Sequence, residues 1–334
     1  MLTGVGLELA SEFSPILFFN KGEIMKKRTW TWLVVLAILI VGGGWFSYQH
    51  FGNPQNVSER RVKRVEKKHV KLVAVGDSLT YGQGDEKKDG GYVGIIKQKI
   101  QHKYTKTKVS TVNYGVSGDR SDQILSRINS QKQIRKDLKN ADVIVMTVGG
   151  NDLMQTLEKD IMMQSQSQIQ SSINQSQKKY EQKLRDLFTT VRKENRRAPI
   201  FVLSIYNPVY TYFPDVTTIN NSISQWNRAT DNVTKDYSKM HFVNIEQIMS
   251  YGQYQTKEQR EQLVNQEEKI NHGKVKQSQL LSIMDNKNHN LNEYISTEDN
   301  FHPNHLGYEH MAKQLFKSMV KYDSWEFVRK IVNG

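Results

Sequence analysis

Short runs of β-branched and apolar residues recur along the chain at 70–75 (VKLVAV), 109–113 (VSTVN), 143–148 (VIVMTV), 200–205 (IFVLSI) and 242–245 (FVNI). Between and after them the apolar positions fall into helical spacing, as at Val93, Ile96 and Ile100, and at Met311, Leu315 and Met319. Five strands alternating with helices predict an α/β fold with a five-stranded parallel sheet covered on both faces, because parallel neighbours need a helix-length crossover. The helical stripes are read as core.

Three stretches depart from this rhythm. Residues 30–48, WTWLVVLAILIVGGGWFSY, carry no charge, have aromatic residues at both ends, and are long enough for a helix to cross about 30 Å of hydrocarbon. Lys26, Lys27 and Arg28 precede them and no A-x-A-like site follows, so an uncleaved N-terminal transmembrane helix is expected, with processing near 42–44 as the alternative. Basic residues also follow, from Arg60 onward, but they start about a dozen residues beyond the span, at the margin of the window that sets orientation. The expected topology has residues 1–29 inside and the body outside, at the cell membrane. Lys21-Gly22-Glu23-Ile24-Met25 back-translates to a purine-rich, GGAG-containing stretch before ATG, which makes Met25 the expected start and 1–24 untranslated.

Residues 49–69 are densely charged and read as a basic stalk, with folding expected from Val70 to 323 and a tail at 324–334. The Gln/Ser-rich tract 164–180 reads as the solvated face of a long helix. Residues 251–291, rich in Gln, Lys and Asn, read as an insertion that serves either as a lid or as a surface excursion.

Composition narrows the chemistry. The 334 residues include no cysteine, which excludes disulfides, thiol nucleophiles and cysteine-based zinc sites. Lys plus Arg number 47 against 34 Asp plus Glu, a formal net charge of +13, so anionic surroundings are expected: acidic lipid, a wall polymer or nucleic acid. No nucleic-acid recognition motif is present, and the expected anchor speaks against that partner.

Polar residues gather where the strands end. The first strand runs into Gly76-Asp77-Ser78-Leu79-Thr80, the second into Asn113-Tyr114-Gly115-Val116-Ser117-Gly118-Asp119, and the third into Gly149-Gly150-Asn151-Asp152. Doubly wound folds build their sites at these carboxyl ends. Near the end of the chain stands Asp299-Asn300-Phe301-His302-Pro303-Asn304, an acid three residues before a histidine.

In order and spacing these four blocks resemble the SGNH, or GDSL-type, esterase and acylhydrolase superfamily over about 70–322, and in particular the membrane-anchored lipase/acylhydrolases of Gram-positive bacteria. The resemblance implies a flavodoxin-like three-layer α/β/α sandwich. It implies Ser78 as nucleophile, His302 as base and Asp299 as its partner, with Ser78, Gly118 and Asn151 supplying the oxyanion hole. It implies no cofactor and no metal.

The chemistry suits those residue types. A serine hydroxyl needs a neighbouring base, imidazole accepts and returns a proton near pH 7, and a carboxylate fixes its tautomer. An H-x-x-H reading of His302, His305 and His310 as metal ligands is disfavoured because Pro303 breaks the helical spacing between the first two. Thr80 stands where the second glycine of G-x-S-x-G would be, which disfavours the nucleophile elbow of the α/β-hydrolases. Asp77, Asp152, Asn113 and Asp119 read as residues that shape the turns. The expected function is hydrolysis of carboxylic esters of lipids, lysolipids or acylated envelope polymers. A carbohydrate O-acetylesterase and a vestigial envelope-polymer binding protein remain as alternatives, the latter holding anionic wall polymer by its basic stalk.

Overall fold

The computed structural model describes residues 27–51, 61–160, 166–271 and 291–332. Two compact units separate, one of Met1–Arg61 with Val332–Gly334 and one of Val62–Ile331. In the first, Lys27–Phe51 forms a helix of 25 residues. Its side chains are described from Leu36 to Gln49, where Leu36, Ile38, Leu39, Ile40, Val41, Trp45, Phe46 and Tyr48 are exposed. The start of the expected span 30–48 therefore lies outside the described side chains. Among the described residues no helix is long and apolar enough to cross a membrane. The expected start region 1–24 and most of the stretch between this helix and the body also lie outside the described residues.

The second unit is built on strands β1 (Arg61–Glu66), β2 (His69–Gly76), β3 (Lys108–Gly115), β4 (Val143–Thr147), β5 (Ile200–Leu203), β6 (Met240–Val243) and β7 (Phe327–Val332). Strands β2 to β6 form one parallel sheet in the order β3-β2-β4-β5-β6. Counted within the sheet this is 2-1-3-4-5, the flavodoxin-like order, which puts the topological switch beside the carboxyl end of β2. Alternation sorts β2 into two layers. Val70, Leu72 and Ala74 pack with Tyr92, Ile96, Met311 and Leu315 of helices Gly91–Lys103 and His305–Lys321. Val73 and Val75 face Ile124, Leu184 and Trp226 of helices Ser121–Ser130, Gln166–Glu194 and Thr217–Lys235.

The stalk and tail expected at 49–69 and 324–334 are partly built into this body. β1 pairs with β7 in a two-stranded sheet. Trp325 and Glu326 are buried, the Lys67 N–H donates to the Glu326 carbonyl at 2.8 Å, and the Arg64 guanidinium lies 4.4 Å from the centre of the Phe327 ring while pairing with Asp323 at 2.7 Å. Charge density concealed the strand: the arginine that signals a solvated stalk here stacks on an aromatic ring.

Of the insertion, Lys257–Asn271 is helical and 272–290 lie outside the described residues. Its two ends are fastened together. The Gln253 amide donates to the Leu291 carbonyl at 2.9 Å, and the Asn292 amide to that of Met249 at 2.8 Å.

Candidate functional site

The end of β2 is shaped by what it must pass. A Cβ on Gly76 would stand 2.5 Å from the hydroxyl oxygens of both Thr147 and Thr80, so the chain can turn there as glycine alone. Asp77 then caps the turn Ser78–Tyr81, accepting the Leu79 N–H at 3.1 Å and the Thr147 hydroxyl at 2.6 Å. Burial pushes the Asp77 carboxyl up, against those hydrogen bonds and the nearby His302. Its role in the structure is to hold the turn that presents Ser78, the first residue of that turn.

Neighbouring strand ends are tied to this one. The Asn113 amide donates to the Thr80 carbonyl at 2.6 Å and its oxygen accepts the Gly115 N–H at 2.8 Å. Arg127 gathers three acceptors, the Asp119 carboxylate at 2.6 Å and the carbonyls of Tyr114 and Gly76 at 3.1 and 3.0 Å. Asn151 donates one amide N–H to the Asp119 carbonyl at 2.9 Å, which leaves its second N–H available. Asp152 accepts the backbone N–H and the hydroxyl of Ser121 at 2.9 and 2.7 Å. These acids and amides shape loops, as their place at strand ends suggests.

The histidine arrives on a clasp closed on itself. Ile295 bridges Pro303, the Ser296 N–H donates to the His302 carbonyl at 2.8 Å, and Asn300 turns the chain at a φ of 51° that asparagine tolerates better than most residues. Asp299 accepts the backbone N–H groups of Phe301 and His302 at 3.0 and 2.9 Å through one oxygen. Its other oxygen lies 2.6 Å from His302 Nδ1, and His302 Nε2 lies 2.8 Å from Ser78 Oγ. Burial acts against the Asp299 charge, but the His302 ring and the two backbone N–H groups outweigh it and hold the carboxyl at about 2. The expected Ser78, His302 and Asp299 thus stand in one hydrogen-bonded line.

That line opens on a pocket of about 40 Å³ lined by Ser78, Asn151, Leu79, Ile205, Tyr206 and Phe301, among others. The Tyr206 hydroxyl donates to the Phe301 carbonyl at 2.8 Å, fixing one wall to the histidine loop. Gly118 sits on the exposed turn after β3 at a φ of 83°, with no heavy atom within 4 Å of where a Cβ would be. It is not part of the pocket wall. The backbone N–H groups of Ser78 and Gly118 donate to no described residue.

The remaining histidines diverge. His305 Nδ1 lies 2.9 Å from Asp85, and its Nε2 lies 3.4 Å from Glu309, while His310 stacks on Tyr294 with ring centres 4.2 Å apart. Among the described residues no cluster of three His, Asp or Glu side chains suits a metal ion.

Several contributors lack a motif of their own. Thr147, a hydroxyl within an apolar strand, bridges Asp77 and Thr80, and its break in the apolar run is a readable signal. Gln83 accepts from the Ser117 hydroxyl and lies 3.5 Å from Asp299. Arg127, one of many basic residues, carries no such mark.

A serine, a histidine and an aspartate in hydrogen-bonded line at the carboxyl edge of a doubly wound sheet define a class of serine hydrolase site. The chain belongs to the GDSL-like lipase/acylhydrolase family, whose model matches residues 74–310, and is an ester hydrolase. It is 30% identical over 256 residues to the uncharacterized protein YpmR of Bacillus subtilis, covering 76% of this chain and 83% of that one. It is 30% identical over 159 residues to the spore germination lipase LipC of Bacillus licheniformis, covering 48% of this chain and 72% of that one. The crystal structure of the lipase Lip_vut3 from a goat rumen metagenome shares the fold, with a TM-score of 0.54 and 22% identity over 75% of this chain and 97% of that one.

Proposed function

We propose that the chain hydrolyses short-chain carboxylic esters through an acyl-enzyme on Ser78. The observation that carries this reading is the line from Asp299 to His302 at 2.6 Å and from His302 to Ser78 at 2.8 Å. His302 Nε2 takes the hydroxyl proton as Ser78 Oγ attacks the ester carbonyl, then gives that proton to the departing alkoxide. Water, deprotonated by the same nitrogen, attacks the acyl-serine and releases the acid, returning the proton to Ser78. Asp299 keeps Nδ1 protonated and stabilises the imidazolium. The second N–H of Asn151 and the unengaged backbone N–H of Ser78, both in the pocket wall, are the donors for the oxyanion, and Gly118 on the exposed turn outside that wall offers a third once substrate is bound. The intact line speaks against the vestigial binding role.

Pocket size supports a preference among esters. The pocket beside Ser78 is narrow and walled by Leu79, Ile205, Tyr206 and Phe301, so it seats the acyl end of an ester and leaves a long chain in its open mouth. This favours O-acetyl or similarly short esters on envelope polymers over long-chain lipids. The exposed apolar side chains of the helix Lys27–Phe51 support its role as a membrane anchor, and the proposed side for the body is extracytoplasmic, from the basic residues that precede the helix. Turnover of p-nitrophenyl esters from acetate to palmitate, with Ser78→Ala as control, tests the reading. Activity should be highest at the short end and absent in the control. A maximum at palmitate would reverse the substrate preference, and turnover by the control would remove Ser78 from its role.

A further inference from the structure

The edge of the sheet opposite Ser78 carries a different chemistry. The amino ends of β2 and β3 meet at His69 and Lys108, and beside them lies a groove of about 880 Å³. Its walls bring together Lys63, Arg64, Lys68, Lys103, Lys106 and Lys108, against the single acid Glu66. Arg64 is paired with Asp323, but Lys63, Lys68, Lys106 and Lys108 are exposed and take part in none of the described ion pairs. Six cations converge, five of them in no described ion pair and with only Glu66 and Asp323 beside them, a poor arrangement for the isolated fold because like charges repel. It suits an anionic surface.

Apolar residues border these cations. On β7, Val328 and Ile331 are 38% and 63% exposed, beside exposed Arg329 and Lys330, and Phe327 forms part of the groove wall. A ribbon that interleaves basic with apolar side chains matches a surface offering both phosphate and hydrocarbon, which a bilayer does and a hydrated polyanion does not. The covalent path agrees. Nine residues separate Phe51, the end of a helix with exposed apolar side chains, from Arg61, the start of this ribbon. Along the chain, this ribbon is therefore the first described part of the body to follow that helix.

We propose that the β1–β7 ribbon and the amino edge of the sheet form a docking surface for an anionic lipid bilayer. Strand β2 runs the length of the sheet from this edge toward the site, and its eight residues put Ser78 more than about 20 Å from the basic groove. A body docked this way turns its pocket away from the bilayer, toward esters carried by molecules outside it. That corollary rests on Ser78 being the nucleophile, whereas the docking surface does not.

The test is amine-reactive footprinting of the full chain in bilayer nanodiscs of phosphatidylcholine alone or with phosphatidylglycerol. Each basic residue near an anionic surface strengthens association about fivefold. Labelling of Lys63, Lys106 and Lys108 should therefore fall at least about tenfold in the phosphatidylglycerol discs and recover in high salt. Lys87 and Lys88, exposed near the Ser78 edge, should stay reactive in both. The triple variant K63E/K106E/K108E should lose the lipid-dependent protection of Lys68 and Lys330 while turning over p-nitrophenyl acetate at the wild-type rate, which verifies its fold. Ser78→Ala should footprint like wild type, so failure of the site assignment and failure of docking read out separately. Equal labelling in both discs would overturn the proposal, as would protection of Lys87 and Lys88 instead. Protection of the groove by soluble poly(glycerol phosphate) in neutral discs, without any effect of phosphatidylglycerol, would overturn it in favour of a wall polymer.

Discussion

Two histidine–aspartate pairs stand within one short stretch of chain and illustrate how context assigns a role. His302 and His305 each hold an aspartate at Nδ1, at 2.6 and 2.9 Å. The difference lies at the far nitrogen. His302 Nε2 faces a serine hydroxyl beside an open pocket, whereas His305 Nε2 lies 3.4 Å from Glu309 on its own helix. The acids differ too. Asp299 accepts the N–H groups of its own loop and so positions His302, while Asp85 accepts the N–H groups of Lys87, Asp89 and Gly91 and so anchors a different loop to the start of the last helix. The same pair does chemistry where a nucleophile meets it and fastens two segments where none does.

The largest contrast should come from removing each imidazole. His302→Ala should lower kcat on p-nitrophenyl acetate by about 10⁴-fold or more, because nucleophile and base act as a unit. His305→Ala should keep kcat within about tenfold and instead lose about 3 kcal/mol of stability in urea unfolding, as expected when one partner of a buried pair is removed. Equal losses of kcat in two folded variants would erase the distinction drawn here.

The aspartates sharpen it further. Asp299→Asn should cost about 10³- to 10⁴-fold in kcat by releasing the imidazole tautomer. Asn151→Ala, which removes one oxyanion donor of several, should cost about 10²- to 10³-fold. Asp85→Asn should change kcat least of the three and shift the unfolding midpoint most. A kcat loss for Asp85→Asn as large as that for Asp299→Asn would make the second pair part of the catalytic apparatus.

The smallest effect is one the two pairs should share. Burial opposes the charge on both acids, yet hydrogen bonds to their histidines and to backbone N–H groups lower both, Asp299 to about 2 from an ordinary 3.8. The folded state then binds fewer protons than the unfolded chain below the ordinary value, so the stabilisation from both acids is present above about pH 4 and falls as pH drops, that from Asp299 being lost as pH approaches 2. Urea unfolding at pH 4, 3 and 2 should show a shallower acid limb in Asp299→Asn and in Asp85→Asn than in wild type. An unchanged slope in either variant would mean that its carboxyl is not held down in the fold.

Much of this molecule is written locally. The apolar runs at 70–75 and 143–148, the helical stripes, and the glycine-rich turns that carry Ser78, Gly118 and Asn151 are all visible within a dozen residues, because periodicity and turn chemistry act over that range. The same holds for Asp299 and His302, three apart on one loop. Partnership is not local. Ser78 and His302 are 224 positions apart and His305 and Asp85 are 220, and in the sequence only the acid three residues before it sets His302 apart from His305. Pocket size, the fastening of strand ends by Arg127, and the pairing of the charged segment 61–66 with β7 likewise depend on which surfaces packing brings together. Local pattern determined the elements and the residues able to react. Tertiary packing decided that the D-x-x-H histidine meets the serine and that His305 meets Asp85 instead, because only the closed sheet brings residues more than 200 positions apart within 3 Å of each other.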